Sequence, residues 1–111
     1  MTTRALPLLA LIPYLLLASG CASHYIRQDD GHTDFYLRCS KAREVALATS
    51  LDGFTPRPAR RGCAGTWVVS IKENRDFSYF YLVDGKVLRP ECRMIEPDDF
   101  GGTNCVYFNN P

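Results

Sequence analysis

The stretch from Ala5 to Ala18, apolar but for two prolines, takes the first fifth of the chain out of whatever the rest folds into. Met1 to Arg4 precede it with one positive charge and Ser19-Gly20 come after it, which is the layout of a secretory signal. The stretch is shorter than the ~20 residues of a membrane-spanning helix, and Pro7 and Pro13 interrupt it, so a permanent span is not expected. The remaining residues, Cys21 to Pro111, are enough for one small domain and too few for two. Such a domain buries a modest core and commonly draws on covalent cross-links.

Leu17-Ala18-Ser19-Gly20-Cys21 resembles the lipobox of bacterial lipoproteins, with Ala18 where Leu is commoner. The resemblance implies cleavage before Cys21, a thioether-linked diacylglycerol on its sulfur and a further acyl chain, typically palmitate, on its amino group. Anchoring by several chains, at ~0.8 kcal/mol per buried methylene, is effectively permanent. Ala22 stands where an Asp would signal retention in the inner membrane, so the resemblance implies the outer membrane and a periplasm-facing domain. The expected organisation is a signal peptide over 1–20, a lipidated tether over 21–33 containing the polar Gln28-Asp29-Asp30-Gly31-His32, and a folded domain over 34–111.

With Cys21 assigned to lipid, Cys39, Cys63, Cys92 and Cys105 remain, and an even number of cysteines in an exported chain predicts two disulfides. Three pairings are possible. Cys39 with Cys63 and Cys92 with Cys105 is favoured here, since each pair brackets one compact segment, and each bridge contributes ~3 kcal/mol on a chain-entropy estimate. Without Arg4, acidic and basic residues balance, which argues against a nucleic-acid partner. The absence of Cys-x-x-Cys, with His24 and His32 both in the tether, argues against a metal or other cofactor.

Phe35 to Cys39 reads as a first strand. Ser40 offers an N-cap to a short helix over Lys41–Leu51, rich in helix formers and apolar around most of its circumference. Phe54 to Cys63, with Pro56 and Pro58, reads as an irregular basic loop. Thr66 to Lys72 alternates Trp67, Val69 and Ile71 against more polar positions, the pattern of a half-buried strand. Phe77 to Val83 is apolar on both faces and suits a central strand, Asp84-Gly85 is a hairpin turn, and Lys86 to Arg89 returns. Cys105 to Phe108 adds a last short strand. The predicted fold class is α+β: one helix packed on a three- to five-stranded antiparallel sheet, held by two disulfides.

No nucleophile and base pairing emerges, so no catalytic residue is assigned and an enzyme is not expected. The aromatic tract Phe77, Tyr79, Phe80 and Tyr81 suits stacking on a sugar or peptide but reads first as core. Arg57, Arg60 and Arg61 form a candidate surface for an acidic partner, a lipopolysaccharide phosphate or an anionic headgroup. Asp98 and Asp99 lie between Cys92 and Cys105 in a loop suited to plugging a basic cleft. Through Trp67-Val68-Val69 and Asp84-Gly85-Lys86-Val87 the chain resembles the small SmpA/OmlA-type lipoproteins of outer-membrane assembly, which implies a protein-binding accessory role in an envelope complex. It shows one helix where that family has two, and no site residue is carried over. The alternative is a periplasmic inhibitor or immunity lipoprotein that blocks a cell-wall-degrading enzyme. Neither reading involves a small-molecule substrate.

Overall fold

A computed structural model describes residues 23–109; the signal segment and Cys21 lie outside the described residues. Ten strands run β1 (Ser23–Asp29), β2 (His32–Arg38), β3 (Val45–Thr49), β4 (Arg57–Pro58), β5 (Arg60–Arg61), β6 (Thr66–Ile71), β7 (Phe77–Val83), β8 (Lys86–Leu88), β9 (Ile95–Pro97) and β10 (Thr103–Tyr107). They form two antiparallel sheets. One has the order β1-β2-β6-β5; the other has β4-β3-β7-β10-β9, with β8 also paired to β7. The first sheet thus follows the ABED order of immunoglobulin-type domains and β3-β7-β10 their CFG order, so the chain is a β-sandwich of that topology.

No α-helix occurs among the described residues, which corrects the α+β expectation. The segment read as a helix over 41–51 is β3 followed by a 3-10 turn at Ser50–Asp52. A short run that is apolar on all sides fits a buried helix and a doubly covered strand equally well, so local pattern does not decide. Long-range pairing does: β3 matches β7 from Val45↔Val83 to Thr49↔Tyr79, and β4 covers its other edge. A helix there would leave a central strand with an unpaired edge.

Two further expectations change. The stretch expected as a solvated tether, 21–33, contributes β1 and the start of β2, a hairpin that turns at Gly31 (φ 80°) and stays in register from Asp29↔His32 to Ser23↔Arg38. The basic loop contains the short strands β4 and β5, with Pro58 at a sheet edge where its missing amide proton costs nothing. Of the expected bridges, Cys92–Cys105 is formed, with a Cα–Cα distance of 6.0 Å. Cys63 is free and exposed. Cys39 is disulfide-bonded, but not to Cys63. Cys63 lies in a 3-10 turn (Cys63–Gly65) whose Gly65 carbonyl accepts from the Cys39 amide, so backbone and not sulfur joins these two segments.

The expected alternation holds where it was clearest. Trp67, Val69 and Ile71 of β6 face Phe35 and Leu37 of β2, and Phe77, Tyr79 and Tyr81 of β7 meet them from the other sheet. Phe35 and Tyr79 pack edge to face, with centroids 5.0 Å apart. His24 does not lie in a tether: it reaches from β1 across the sandwich, with Nδ1 2.9 Å from the Tyr81 hydroxyl and Nε2 3.0 Å from that of Tyr79. Burial lowers the His24 pKa, and burial also pushes the Tyr79 phenol up to about 12.

A native-state pKa below the ordinary histidine value means that the unfolded chain binds the proton better. The His24 contribution to stability is therefore complete above pH ~6.5, is lost as pH falls below it, and levels off below the native pKa. Chemical denaturation followed from pH 8 to 5 should show this loss in the wild type, and His24→Gln should remove it. His24→Ala should cost about 2–4 kcal/mol at pH 8, because two buried hydroxyls lose their partner.

Candidate functional site

One edge of β7 is shared by two strands. β10 pairs with it from Phe77 to Tyr79 and β8 from Tyr81 to Val83, so the ladder changes partner at Phe80. Phe80 points away from the core at this junction. Phe54, Arg89 and the β9–β10 loop surround it and form a groove of ≈ 530 Å³ on the outer face of the sheet. That volume lies in the range of ligand sites.

Phe54 stacks on Phe80, with centroids 5.5 Å apart and planes 13° from parallel. The pairing carries backbone strain, since Phe54 has φ 65°, a genuine outlier for a bulky side chain. Gly53 (φ 72°) and the hydrogen bond from the Phe54 amide to the Thr49 carbonyl at 2.7 Å hold it there. Arg89 stands beside the rings, its guanidinium carbon 6.0 Å from the Phe80 centroid, and it donates to Asp98 Oδ2 at 3.2 Å. Phe100 projects from the loop 95 % exposed. Asn104 lies at the base of the groove, 6 % exposed, and its Oδ1 is buried with no hydrogen-bond partner among the described residues. Such an acceptor is costly to leave unmade.

Asp98 organises the loop. Its Oδ1 accepts from the amides of Phe100 at 2.8 Å and Gly102 at 2.7 Å, and these donors, with Arg89, hold its carboxyl below the usual range. Asp98 is thus turned inward and Asp99 is the exposed acid of the pair. The basic candidates also separate. Arg57 donates to Asp52 at 3.2 Å and to Glu73 at 3.2 and 3.4 Å. Arg61 lies over the Trp67 ring at 4.6 Å and donates to the Ala42 carbonyl, while Arg60 is exposed. The structure places the arginines along the β4–β5 margin and the acids in the β9–β10 loop, and does not bring them together. Of the aromatic tract, Phe77, Tyr79 and Tyr81 are core and Phe80 alone reaches the groove. Sequence reasoning missed Phe54, Arg89 and Asn104. The strongest signal for them was Gly53 before an aromatic residue. Among the described residues, no three His, Cys, Asp or Glu side chains gather as a metal site.

No protein-family model matches the chain, and no curated protein matches it. Among solved structures it is similar to part of a mutant pullulanase from Paenibacillus barengoltzii complexed with maltotetraose, with a TM-score of 0.54 and 19 % identity over 78 % of this chain and 15 % of that one. The apo pullulanase of the same organism gives a TM-score of 0.49 at 17 % identity, over 77 % of this chain and 14 % of that one. The first likeness identifies a shared β-sandwich fold, and this chain spans about one seventh of the enzyme's length.

A Cβ at Gly102 would stand 2.8 Å from Asp98 Oδ2 and 3.3 Å from the Arg89 guanidinium. Gly102→Ala should therefore break the contact between Arg89 and Asp98 and speed amide exchange at Phe100 on the order of tenfold, a loss of ~1.4 kcal/mol of local protection. Asp99→Ala should leave both the exchange and the melting temperature unchanged.

Proposed function

We propose that this chain is a non-catalytic binding module of the cell envelope, anchored through an acylated Cys21 at the periplasmic side of the outer membrane. Its partner, a segment of another envelope protein, would bind in the groove of Phe54, Phe80, Arg89 and Asn104. The observation that carries the binding reading is the unsatisfied Asn104 Oδ1 at the foot of a strained, stacked aromatic pair. Strain and an unmet acceptor both lower stability and survive where the surroundings enforce them, which is characteristic of ligand sites. A fitting segment lays an apolar side chain on the rings and brings a donor to Asn104.

A second reading is favoured by one feature of the groove. Flat aromatic faces beside an arginine, a carboxylate and an amide also suit a sugar ring, and the pullulanase with the similar sandwich was crystallised with maltotetraose. The inhibitor reading rests on the β9–β10 loop, which offers Phe100 and Asp99 outward.

Titration of isotope-labelled protein with maltotetraose, followed by amide shifts, separates the first two readings. Shifts confined to Phe54, Phe80 and Asn104 support an oligosaccharide ligand. Their absence, together with a crosslink from the groove to an envelope protein, supports the protein partner. Assays against cell-wall hydrolases test the third, which fails if no hydrolase is inhibited. Phe54→Gly should abolish binding while changing stability by less than about 1 kcal/mol, since relief of ~1–3 kcal/mol of strain offsets the lost stacking. For the anchor, mass spectrometry of the amino-terminal peptide should show diacylglyceryl-Cys21. An unmodified Cys21 in that peptide would overturn the acylation.

A further inference from the structure

β1 begins at Ser23, two residues after Cys21, so no dozen-residue tether separates lipid from fold. Two residues span at most ~7 Å, which lies within the ~8 Å Debye length at physiological salt. The end of the sandwich where β1 starts is therefore the end that meets the headgroups, if Cys21 carries lipid. The opposite end lies a seven-residue strand away, ~23 Å, and is screened from them.

The two ends differ in charge. Ser23 is paired with Arg38, and Arg38 with Thr66, so the near rim comprises the end of β2, the connection from β2 to β3, and β5 beside the start of β6. It carries Arg38, Lys41, Arg43, Arg60 and Arg61, all exposed, and none of the five closes an ion pair among the described residues. Of the acids at this end, Asp84 is turned onto the amides of Arg43 and Glu44, which leaves Glu44, and Glu91 beside Ser23 and Arg89, against the five basic side chains. At the far end Asp29, Asp30, Asp34, Asp52, Glu73 and Asp76 outnumber Arg27, Arg57, Lys72 and Arg75.

We infer that the rim of Arg38, Lys41, Arg43, Arg60 and Arg61 is a docking surface for anionic phospholipid headgroups, which seats the sandwich on the membrane with the β1 start facing down. The orientation rests on the proposed acylation of Cys21, but the affinity of the rim for anionic lipid does not. Each basic side chain close to such a surface strengthens binding severalfold, so a cluster acts steeply. The seat fixes which faces of the domain an envelope partner can reach.

The test uses the mature chain with Cys21→Ser, which has no lipid, sedimented with phosphatidylcholine vesicles containing or lacking about one third phosphatidylglycerol. Expected is binding to the anionic vesicles alone, lost in half-molar salt and weakened on the order of tenfold or more by combined Arg38→Ser, Lys41→Ser and Arg43→Ser. The far-end set Arg27→Ser, Lys72→Ser and Arg75→Ser should leave it unchanged. Equal binding to neutral vesicles, no binding to the anionic ones, or an equal loss with the far-end set would overturn the inference. Circular dichroism of each variant confirms folding, and the mass of the Cys21 peptide from wild-type cells reports separately on the anchor. An unacylated Cys21 with anionic binding intact would overturn the anchoring and leave the docking surface standing, whereas an acylated Cys21 without anionic binding would do the reverse.

Discussion

Tyr79 sits where the two sheets meet, and its burial links most of what the chain builds. Its ring packs on Phe35 of the opposite sheet, and its hydroxyl cannot be left unpartnered in that interior. His24 supplies the partner and serves Tyr81 with its other nitrogen, so β1 is held to β7 by hydrogen bonds that cross the sandwich. Antibody domains join the corresponding B and F strands with a disulfide beside a tryptophan. Here aromatic packing holds the equivalent β2 and β7, the imidazole ties β1 to β7, and the Cys92–Cys105 bridge lies within the second sheet, its buried Cys105 paired across from Tyr79.

The same strand generates the groove. Because β7 is paired along β3 on one edge, its other edge is the only place where β8 and β10 can both attach. They meet end to end at Phe80, and the connections leaving them have to rise off the sheet. Phe54, Arg89 and the β9–β10 loop are thereby gathered around one outward ring. The Cys92–Cys105 bridge and the amides collected by Asp98 then fix the loop, and a fixed wall is what allows Asn104 Oδ1 to stay buried and unsatisfied.

Much of the strand pattern was legible in the residues, because β6, β7 and the Asp84-Gly85 turn declare themselves locally: alternation, apolarity on both faces, and two residues at φ 50° and 82°. The segment Lys41–Leu51 was not, since Val45 to Thr49 is buried but for the half-buried Ala46 and only its pairing with β7 distinguishes strand from helix. β1 was missed for the opposite reason: its outward residues are polar, and the inward His24 does not look like core until its two tyrosines are in place. Of the candidate site residues, Asp98 lies in the β9–β10 loop, where its carboxylate collects the loop's own amides. Phe54, Arg89 and Asn104 come from connections and strands far apart in sequence, and no local pattern joins them.

The loss of the tether alters what the anchor implies. A domain on a dozen flexible residues samples all orientations, and its binding face reaches targets at many heights. A sandwich whose first strand starts two residues from Cys21 has little such freedom once that sulfur carries lipid. Arg89 then lies between two features: it lines the cleft shared with Ser23 and His24 at the near end and also the groove beside Phe80. The groove would thus open low on the side of the domain, and a partner of the acylated protein would have to present its segment close to the membrane plane. This favours partners that are themselves held at the membrane, because confinement to one surface raises the effective concentration without any added contact.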